Sequence, residues 1–577
     1  MKLYRVNLTE GEVKEESVPE EYAPLGGRGL TSRLIHDEVD PGAHPLGENN
    51  KLILAPGLLS GTRAPSSGRL SAGAISPLTG GIKESNVGGT AAQYFGRLNI
   101  KALIMEGKTE DFPCVLVVNK DGIKLEKVDE IEGLGNYEVG DKLREKYGDK
   151  VSVISIGPAG EYRMSAASMA VTDIDQRPAR AIGRGGLGAV MGSKGVKAIV
   201  VDDREAPGVT MHDEDKFKEA SKKFSKIILD HPVSGEALRN YGTAVLINIL
   251  NEAGGLPTQN FKYGRYDKAD DTSGETMVDI INKRGGKASH SCHPGCIMGC
   301  SQVYNDEDGN YFTAGFEYET IWAFGANLCI NDIDAIAYFD KCCDDIGLDT
   351  IETGVTMGVA MEGGLLEFGD VDGVKRLFDE EISNGTPLGR ILGSGSKVTG
   401  QVFGVTRVPE VKGQGIPAYD PRAVKGVGVT YATSTQGADH TAGYSVTANI
   451  LKVGGEVDPL KKEGQTDLSR DLQVATAAID STGLCLFVAF AVLDNEEAVP
   501  TIVNMLNAQY GISLTPDDVT ALGKDILKVE REFNKKRGFT KADDRLPEFF
   551  QKEKLPPHEV TFDISEDELD SVYGDLN

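Results

Sequence analysis

One short stretch, residues 291–300, constrains the fold of this chain more than any other feature, because it carries three of the eight cysteines. Successive thiols in it are separated by three residues, and Pro294, Gly295 and Gly299 keep the local backbone irregular, so that the thiols can turn toward one centre. A fourth cysteine stands far downstream, and a chain that uses all four together must fold back onto this stretch. The four are Cys292, Cys296, Cys300 and Cys485.

Three interpretations of these cysteines are open. Four thiolates around one centre suit a [4Fe–4S] cluster, in which each iron takes one cysteine ligand. A structural zinc site with tetrahedral thiolate ligands is the main inorganic alternative. The third interpretation is a set of buried thiols in a glycine-rich loop, since cysteine is a common core residue.

The composition excludes several classes of protein. The 577 residues carry a formal net charge of −27, so nucleic acid is not an expected partner, because phosphate binding needs a basic face.

The chain starts with an alternating strand and no apolar signal-peptide core, and its longest apolar run, residues 484–493, is too short to cross a bilayer. We therefore expect a cytoplasmic protein without membrane contact. Its thiols should be reduced, which favours metal ligation over disulfides.

The order of apolar patterns predicts the α+β class. Short runs rich in Val, Ile and Leu are separated by turn residues at 2–8, 51–55, 102–106, 115–119, 151–156 and 198–201, which is typical of strands. After a polar linker near 206, residues 214–229 have helical spacing of apolar side chains. We expect a β-rich domain over 1–206, a mainly helical domain over 207–405 and a second mainly helical domain over 406–577.

Glycine is over-represented, at 70 residues, and the richest glycine loop covers residues 180–194. Residues 183–188 match Gly-x-Gly-x-x-Gly, but the polar run 175–178 precedes them where a dinucleotide fingerprint needs a strand, so this interpretation is disfavoured. Arginine and glycine together favour a cradle for an anion such as phosphate. A tight-packing turn is the alternative.

The pattern Asp-x-x-Gly-Leu-Asp/Cys occurs twice, at 344–349 and at 480–485. In each hexad the glycine is expected to end a helix, and the aspartates can accept N–H bonds from a ligand. Two copies in successive regions indicate a pseudo-symmetric pair of half-sites. The alternative is a common helix end met twice by chance.

With these motifs, the chain resembles the tungsten-containing aldehyde:ferredoxin oxidoreductase family over nearly its whole length. The resemblance also rests on residues 76–80, 183–194, 317–319, 325–328 and 417–422. It implies tungsten, or molybdenum, held by the dithiolenes of two pyranopterins in the N-terminal domain beside one [4Fe–4S] cluster. It therefore favours the cluster over zinc at the four cysteines. The resemblance is closer to bacterial aldehyde oxidoreductases that work with a ferredoxin-like subunit and a flavin subunit, so we expect an oligomer.

The resemblance assigns roles to single residues. Asp344 and Asp349 match the contacts to one pterin and Asp480 the contact to the other, and Arg69 matches the arginine between cluster and pterin. Asn86 and Ala181 match the backbone positions that hold Mg²⁺ between the pterin phosphates. Arg180, next to Ala181, would neutralise a phosphate. The remaining hexad positions expected at the cofactor are Gly347, Leu348, Gly483 and Leu484.

The expected reaction is oxidation of an aldehyde to a carboxylic acid, with its reversibility left open. Glu319 matches the family's active-site glutamate, as proton acceptor, and His440 its active-site histidine, as donor to the carbonyl oxygen. A related subunit that reduces an aromatic thioester departs from the family at these two positions, and here both residues remain. The alternative from another class is a non-catalytic Fe–S electron-transfer or scaffold protein.

Two departures from the family pattern have consequences. The first two cluster cysteines are separated by three residues where the family usually has two, which affects the geometry expected at Cys292. Some relatives carry a Glu-x-x-His pair that binds a metal between subunits. Tyr338 and Lys341 stand at those positions, so we expect that metal to be absent.

Overall fold

A computed structural model describes residues 1–576, and its N-terminal part contains two six-stranded sheets. The first sheet has the strand order β2-β1-β6-β3-β4-β5, in which β1 and β6 are parallel and all other neighbours antiparallel. Its strands are β1 (Lys2–Asn7), β2 (Glu12–Ser17), β3 (Leu52–Pro56), β4 (Leu70–Ile75), β5 (Ile82–Val87) and β6 (Ile100–Glu106).

The second sheet repeats this pairing strand for strand. Its order is β8-β7-β12-β9-β10-β11, with β7 and β12 parallel and the other neighbours antiparallel. Its strands are β7 (Cys114–Asn119), β8 (Gly122–Lys127), β9 (Ser152–Ser155), β10 (Met169–Val171), β11 (Arg180–Ile182) and β12 (Val196–Val201). The edge strands β5 and β11 of the two sheets contact each other.

The two sheets share one apolar core. Leu54 and Leu103 of the first sheet lie in the same buried cluster as Leu116, Ile154 and Ile199 of the second. Helices cover the outer faces, because alternate residues of the central strands are also apolar there. The five helices of this part are α1 (Gly27–Glu38), α2 (Ala91–Arg97), α3 (Asn136–Tyr147), α4 (Pro158–Glu161) and α5 (Leu187–Ser193).

From position 214 onward the chain is mainly helical, which confirms the predicted α+β class. Five short strands form two small sheets here: β13 (Lys287–His290), β14 (Ser301–Asn305), β15 (Tyr311–Ala314), β16 (Glu410–Val411) and β17 (Gln414–Gly415). The helices are α6 (Glu214–Asp230), α7 (Leu238–Tyr241), α8 (Leu246–Glu252), α9 (Gly274–Lys283), α10 (Tyr318–Phe324), α11 (Ile333–Ile346), α12 (Thr350–Glu362), α13 (Val371–Arg376), α14 (Pro387–Leu392), α15 (Ser396–Phe403), α16 (Lys425–Thr433), α17 (Gln465–Thr482), α18 (Ala489–Asp494), α19 (Ala498–Tyr510), α20 (Pro516–Lys536), α21 (Phe549–Lys552) and α22 (Glu566–Ser571). The domain boundaries near 206 and 405 stay predictions. Among the described residues, no helix is long and apolar enough to span a membrane.

Both hexads end a helix, as predicted. Helix α11 is followed by Gly347 with φ +81°, and α17 by Gly483 with φ +82°, a left-handed conformation that glycine adopts without a steric penalty. Each end then binds a different sheet. The N–H of Ser168, before β10, donates to the Gly347 carbonyl at 2.9 Å, and the N–H of Arg69, before β4, donates to the Gly483 carbonyl at 3.0 Å.

The second of these contacts depends on a glycine in the N-terminal part. A Cβ added to Gly57 would lie 2.0 Å from the backbone nitrogen of Gly483, so only glycine permits this approach. Gly157 plays the same part in the first contact, where an added Cβ would lie 2.3 Å from the carbonyl oxygen of Ile346. The high glycine content is used here for close backbone contact between the two regions.

Candidate functional site

A cavity of about 380 Å³ lies where the two sheets meet the helical part. All but three of the predicted site residues line it. Gly347, Gly483 and Leu484 do not, because they form the helix ends behind the cavity wall, and Leu484 lines a separate groove instead. The predicted residues that line the cavity are Arg69, Asn86, Arg180, Ala181, Cys292, Cys296, Cys300, Glu319, Asp344, Leu348, Asp349, His440, Asp480 and Cys485.

The four predicted cysteines are free thiols in one part of this cavity. A hydrogen bond with Cys296 and burial raise the pKa of Cys292, and the same hydrogen bond lowers that of Cys296. Sequence reasoning missed His293, which is 1 % exposed. One of its ring nitrogens lies within 4.8 Å of the sulfurs of Cys292 and Cys296, and its Nε2 has no hydrogen-bond partner among the described residues. The donor set fits a thiolate-bound metal cluster.

Two arginines flank the thiols, Arg69 half-buried and Arg180 buried. Arg69 Nη2 donates to Cys485 Sγ at 3.1 Å, and Arg180 Nη2 donates to Ser301 Oγ at 2.9 Å. Burial opposes the charge on both guanidinium groups, but nearby thiol and carboxyl groups raise both pKa values. The Nε atom of each is buried without a partner among the described residues. These unpaired donors fit an anionic cofactor with phosphate groups.

The hexad aspartates that line the cavity differ in their hydrogen-bond partners. Asp349 Oδ2 accepts from Arg184 Nε at 3.0 Å, whereas Asp344 Oδ2 is buried without a partner in the described part of the chain. Burial, with the Asp340 carboxylate beside it, raises the pKa of Asp344 well above its ordinary value. Asp480 accepts from Asn86 Nδ2 and from the guanidinium of Arg28, each at 3.3 Å, and burial raises its pKa to about 6. Asp344 therefore has an oxygen free for an N–H donor.

Glu84 is a further cavity residue that the sequence did not indicate. It lies in β5 beside Asp480, and its Oε1 is buried without a partner within residues 1–576. Burial and the Asp480 charge raise its pKa to about 8. A lone glutamate in a strand gives no sequence signal, because its burial depends on the helical part that covers it.

Glu319 and His440 face each other. Glu319 Oε2 accepts from the N–H of Ala418 at 3.0 Å, and its Oε1 lies 3.2 Å from His440 Nε2, although the angles there are not those of a hydrogen bond. Burial raises the pKa of Glu319 to about 8 and lowers that of His440 to about 4. At neutral pH the histidine is therefore uncharged, and most of the glutamate is protonated.

The neighbouring glutamate points elsewhere. Glu317 is the N-cap residue of α10 and Glu319 lies in its first turn, as expected for a segment that opens a helix. Glu317 Oε1 lies 3.4 Å from Arg180 Nη1, and Glu319 faces His440 instead. Both line the cavity, but only Glu319 contacts the histidine.

Arg184, in the glycine loop, does not serve as a free anion-binding group. Besides the bond to Asp349, it donates to the carbonyls of Ala438 and Gly415, both at 2.7 Å, and so fixes the loop that carries His440. A strand, β11, does precede residues 183–188, contrary to the sequence expectation. It is antiparallel to its neighbour β10, so the loop is still not part of a dinucleotide-binding unit.

Tyr338 and Lys341, at the positions where some relatives bind a metal between subunits, contact other side chains of this chain. Tyr338 Oη donates to Asp379 Oδ1 at 2.6 Å, and Lys341 Nζ lies 4.6 Å from the centroid of the Phe312 ring. Neither side chain is a usual ligand for a divalent metal, which agrees with the expectation that this metal is absent. The absence itself stays a prediction.

Two family models match this chain. "Aldehyde ferredoxin oxidoreductase, N-terminal domain" matches residues 3–203, and "Aldehyde ferredoxin oxidoreductase, domains 2 & 3" matches residues 219–574. The tungsten-containing aldehyde ferredoxin oxidoreductase of Pyrococcus horikoshii is 37 % identical, in an alignment that covers 96 % of this chain and 92 % of the relative. The enzyme of the same name from Pyrococcus furiosus is 38 % identical, in an alignment that covers 96 % of this chain and 91 % of the relative.

A solved structure shares the fold. The active-site complex BamBC of benzoyl coenzyme A reductase, in complex with 1,5 dienoyl-CoA, contains a chain that superposes with a TM-score of 0.81 at 18 % identity, covering 100 % of this chain and 94 % of that one. Four free thiols and two arginines in one cavity suit a protein that holds and tunes redox cofactors, as an oxidoreductase does. This chain belongs to the aldehyde ferredoxin oxidoreductase family, because both models and both relatives span nearly all of it.

Proposed function

We propose that this protein oxidises aldehydes to carboxylates at a tungsten bis-pyranopterin centre beside a [4Fe–4S] cluster. The balanced reaction is R–CHO + H₂O → R–COO⁻ + 3H⁺ + 2e⁻. The observation that carries the proposal is the pair of Glu319 and His440, 3.2 Å apart and largely shielded from solvent, in the same cavity as the four thiols. An electron-transfer scaffold would not need such a pair.

The cavity offers suitable groups for each proposed cofactor. The four cysteines would hold the cluster, Asp344 and Asp480 would accept N–H bonds from the two pterins, and Arg69 would lie between cluster and pterin. When bound, the metal supplies two-electron chemistry and the cluster passes electrons on singly. Tungsten is the metal in the names of both relatives, and molybdenum is the alternative.

A magnesium ion would lie where the edge strands of the two sheets meet. Asn86 is in β5 and Ala181 in β11, the two strands that contact each other. Arg180 precedes Ala181, and its Nε, which has no partner in the described part of the chain, can donate to a phosphate oxygen. Magnesium usually keeps waters and takes phosphate and carbonyl oxygens, so these backbone positions suit it.

The two active-site residues would divide the proton chemistry. His440 is neutral at pH 7, and its Nδ1 is buried without a partner among the described residues, so it can donate to the aldehyde oxygen. In its ionised form, Glu319 can accept a proton from the water that attacks the carbonyl carbon. Because burial raises its pKa to about 8, this form becomes more abundant toward higher pH.

The proposed electron acceptor is a ferredoxin-like protein, together with a flavin subunit in an oligomer. The support is the family name, which includes ferredoxin. Co-purification of the tagged chain from its native host tests this part, and a preparation that contains only this chain at full activity with ferredoxin would exclude the flavin subunit.

Metal analysis of anaerobically purified protein tests the proposed cofactors. We expect about one tungsten and about four irons per chain, as one four-cysteine cluster implies. Cys485→Ser should lose iron, whereas the control Cys114→Ser should retain it, because Cys114 lies in β7 and outside the cavity. Zinc without iron, or equal iron loss in both variants, would refute the proposal.

A further inference from the structure

The proposed cluster needs four ligands, and the structure places a fifth donor, His293, beside two of the thiols. One of its ring nitrogens and the sulfurs of Cys292 and Cys296 all lie within 4.8 Å of one another. A [4Fe–4S] cluster takes one ligand for each iron, so four thiolates are sufficient for it. The proposed function therefore leaves the imidazole without a role.

The imidazole of His293 is oriented as a metal-binding histidine usually is. Its Nδ1 lies 2.9 Å from the carbonyl oxygen of Pro294, and a carbonyl can only accept, so Nδ1 carries the hydrogen. In the neutral ring Nε2 then holds the free lone pair. Metal-binding histidines commonly donate their other ring N–H to a carbonyl in this way, which fixes the tautomer and the direction of the ring.

The surroundings of the ring also indicate a ligand more than a packing residue. Nε2 of His293 is buried without a hydrogen-bond partner among the described residues, which is costly for a histidine that only fills space. A Cβ added to Gly68 would lie 2.3 Å from His293 Nδ1, so the ring packs directly on that backbone. Gly68 precedes Arg69, which donates to Cys485 Sγ. The ring is thus held beside the segment that reaches the cluster thiols.

The position of His293 in the chain decides which thiol it can replace. Cys292 is the adjacent residue, whereas two residues separate His293 from Cys296. In cluster-binding runs, successive ligands are separated by two residues or more, so adjacent residues are not expected to bind two irons of one cluster. His293 can therefore take the place of Cys292. It cannot take the place of Cys296, because two neighbours would then both have to bind.

We infer that His293 is a reserve ligand of the proposed cluster, whose Nε2 binds the iron of Cys292 when that thiolate is released. The inference rests on the cluster of the proposed function. The Fe–Sγ bond of Cys292 breaks, the thiolate takes up one proton from water, and an Fe–Nε2 bond forms, so no electron is transferred. The cluster keeps its irons and loses one negative charge, a change that raises the reduction potential of iron–sulfur centres.

Iron content of anaerobically purified holoprotein tests the inference. Cys292→Ala removes the thiol without supplying an oxygen ligand, and it should retain about four irons because His293 binds the iron left open. The matched control is Cys485→Ala, which should lose iron, since Cys485 belongs to no such group of donors among the described residues.

A second pair of variants shows whether His293 causes the retention. Asparagine can keep the bond to the Pro294 carbonyl but offers no Nε2. Cys292→Ala combined with His293→Asn should therefore lose iron, whereas His293→Asn alone should retain about four irons and so exclude a folding defect. Iron loss in the single variant would make His293 a permanent ligand and overturn the inference.

Pulsed EPR of the reduced cluster identifies the ligand without turnover. Cys292→Ala should show a nitrogen coupling that changes when the protein is made with isotope-labelled histidine, and the wild-type protein should lack it. Four retained irons without this coupling would overturn the inference, and so would the same coupling in the wild-type protein.

The outcomes separate this inference from the proposed function. If the wild-type protein holds tungsten and four irons but Cys292→Ala loses as much iron as Cys485→Ala, the reserve ligand is wrong and the proposed function remains. If His293 replaces Cys292 but no aldehyde is oxidised, the proposed function fails and the reserve ligand remains. A wild-type protein without iron overturns both.

Discussion

Replacing Glu319 with glutamine should change the pH dependence of turnover as well as its rate. The wild-type carboxyl has its pKa raised to about 8, mainly because it is buried. A proton acceptor works only in its ionised form, so activity should be lost as the pH falls below that pKa. The ionised fraction is about 1 % at pH 6, about 10 % at pH 7 and about half at pH 8, from the ordinary titration of a single group.

These fractions set the expected magnitude. kcat/KM of the wild-type enzyme should rise about 50-fold between pH 6 and pH 8. Glu319→Gln cannot ionise, so it should lose this rise and lower turnover at pH 8 by about 10²- to 10⁴-fold, the usual range for a general base. His440→Asn should lower turnover by a similar factor but keep the rise, because His440 has its pKa lowered to about 4 and does not titrate in this range.

The assay is viologen-linked aldehyde oxidation from pH 5.5 to 9, with tungsten and iron measured in every preparation. Glu317→Gln is the matched comparison, since Glu317 lies two residues away and faces Arg180. It should keep the rise with pH whatever its effect on rate. A Glu319→Gln enzyme with full metal content and the wild-type pH profile would refute the assignment of Glu319 as proton acceptor. So would a wild-type kcat/KM that falls between pH 6 and pH 8.

Two further predictions concern stability and metal content. Gly57→Ala should lower the free energy of unfolding by about 3 kcal/mol, since its Cβ would lie 2.0 Å from the Gly483 nitrogen. The control Gly140→Ala changes a helical position with nothing within 4 Å of an added Cβ, and it should raise the free energy of unfolding by about 0.5 to 1 kcal/mol. Urea titration measures both, and equal stabilities would contradict the close approach. Iron in excess of one cluster should be absent because Tyr338 and Lys341 replace the interface ligands, and an additional fully occupied iron in a crystal would disprove this.

Features encoded locally were predictable from the sequence. The predicted strands at 2–8 and 198–201 correspond to β1 and β12, and the predicted helix at 214–229 to α6. The buried side chains of α6 recur at helical spacing, at Phe217, Ala220, Phe224 and Ile228. Periodicity and capping decide such elements within a few residues of sequence, so the structure adds little to them.

Properties that depend on distant parts of the chain were not predictable. The raised pKa of Glu319 and the oxygen of Glu84 that lacks a partner among the described residues follow from burial by segments distant in the sequence. Arg184 lies in the loop that was predicted to form an anion cradle, but it donates to two backbone carbonyls much later in the chain, those of Ala438 and Gly415. His293 stands next to a predicted ligand, yet its type alone did not distinguish a donor from a core histidine.

The matching strand pairing of the two N-terminal sheets has a consequence for the ancestry of this protein. Duplication and fusion of one gene for a sheet of about six strands, a usual size for a sheet, would leave such a pattern. In such an ancestor two identical copies would have enclosed one symmetric centre between them. Fusion into a single chain would then have freed each copy to change separately. In the present protein the corresponding edge strands β5 and β11 carry unlike residues, Asn86 in one and Ala181 in the other.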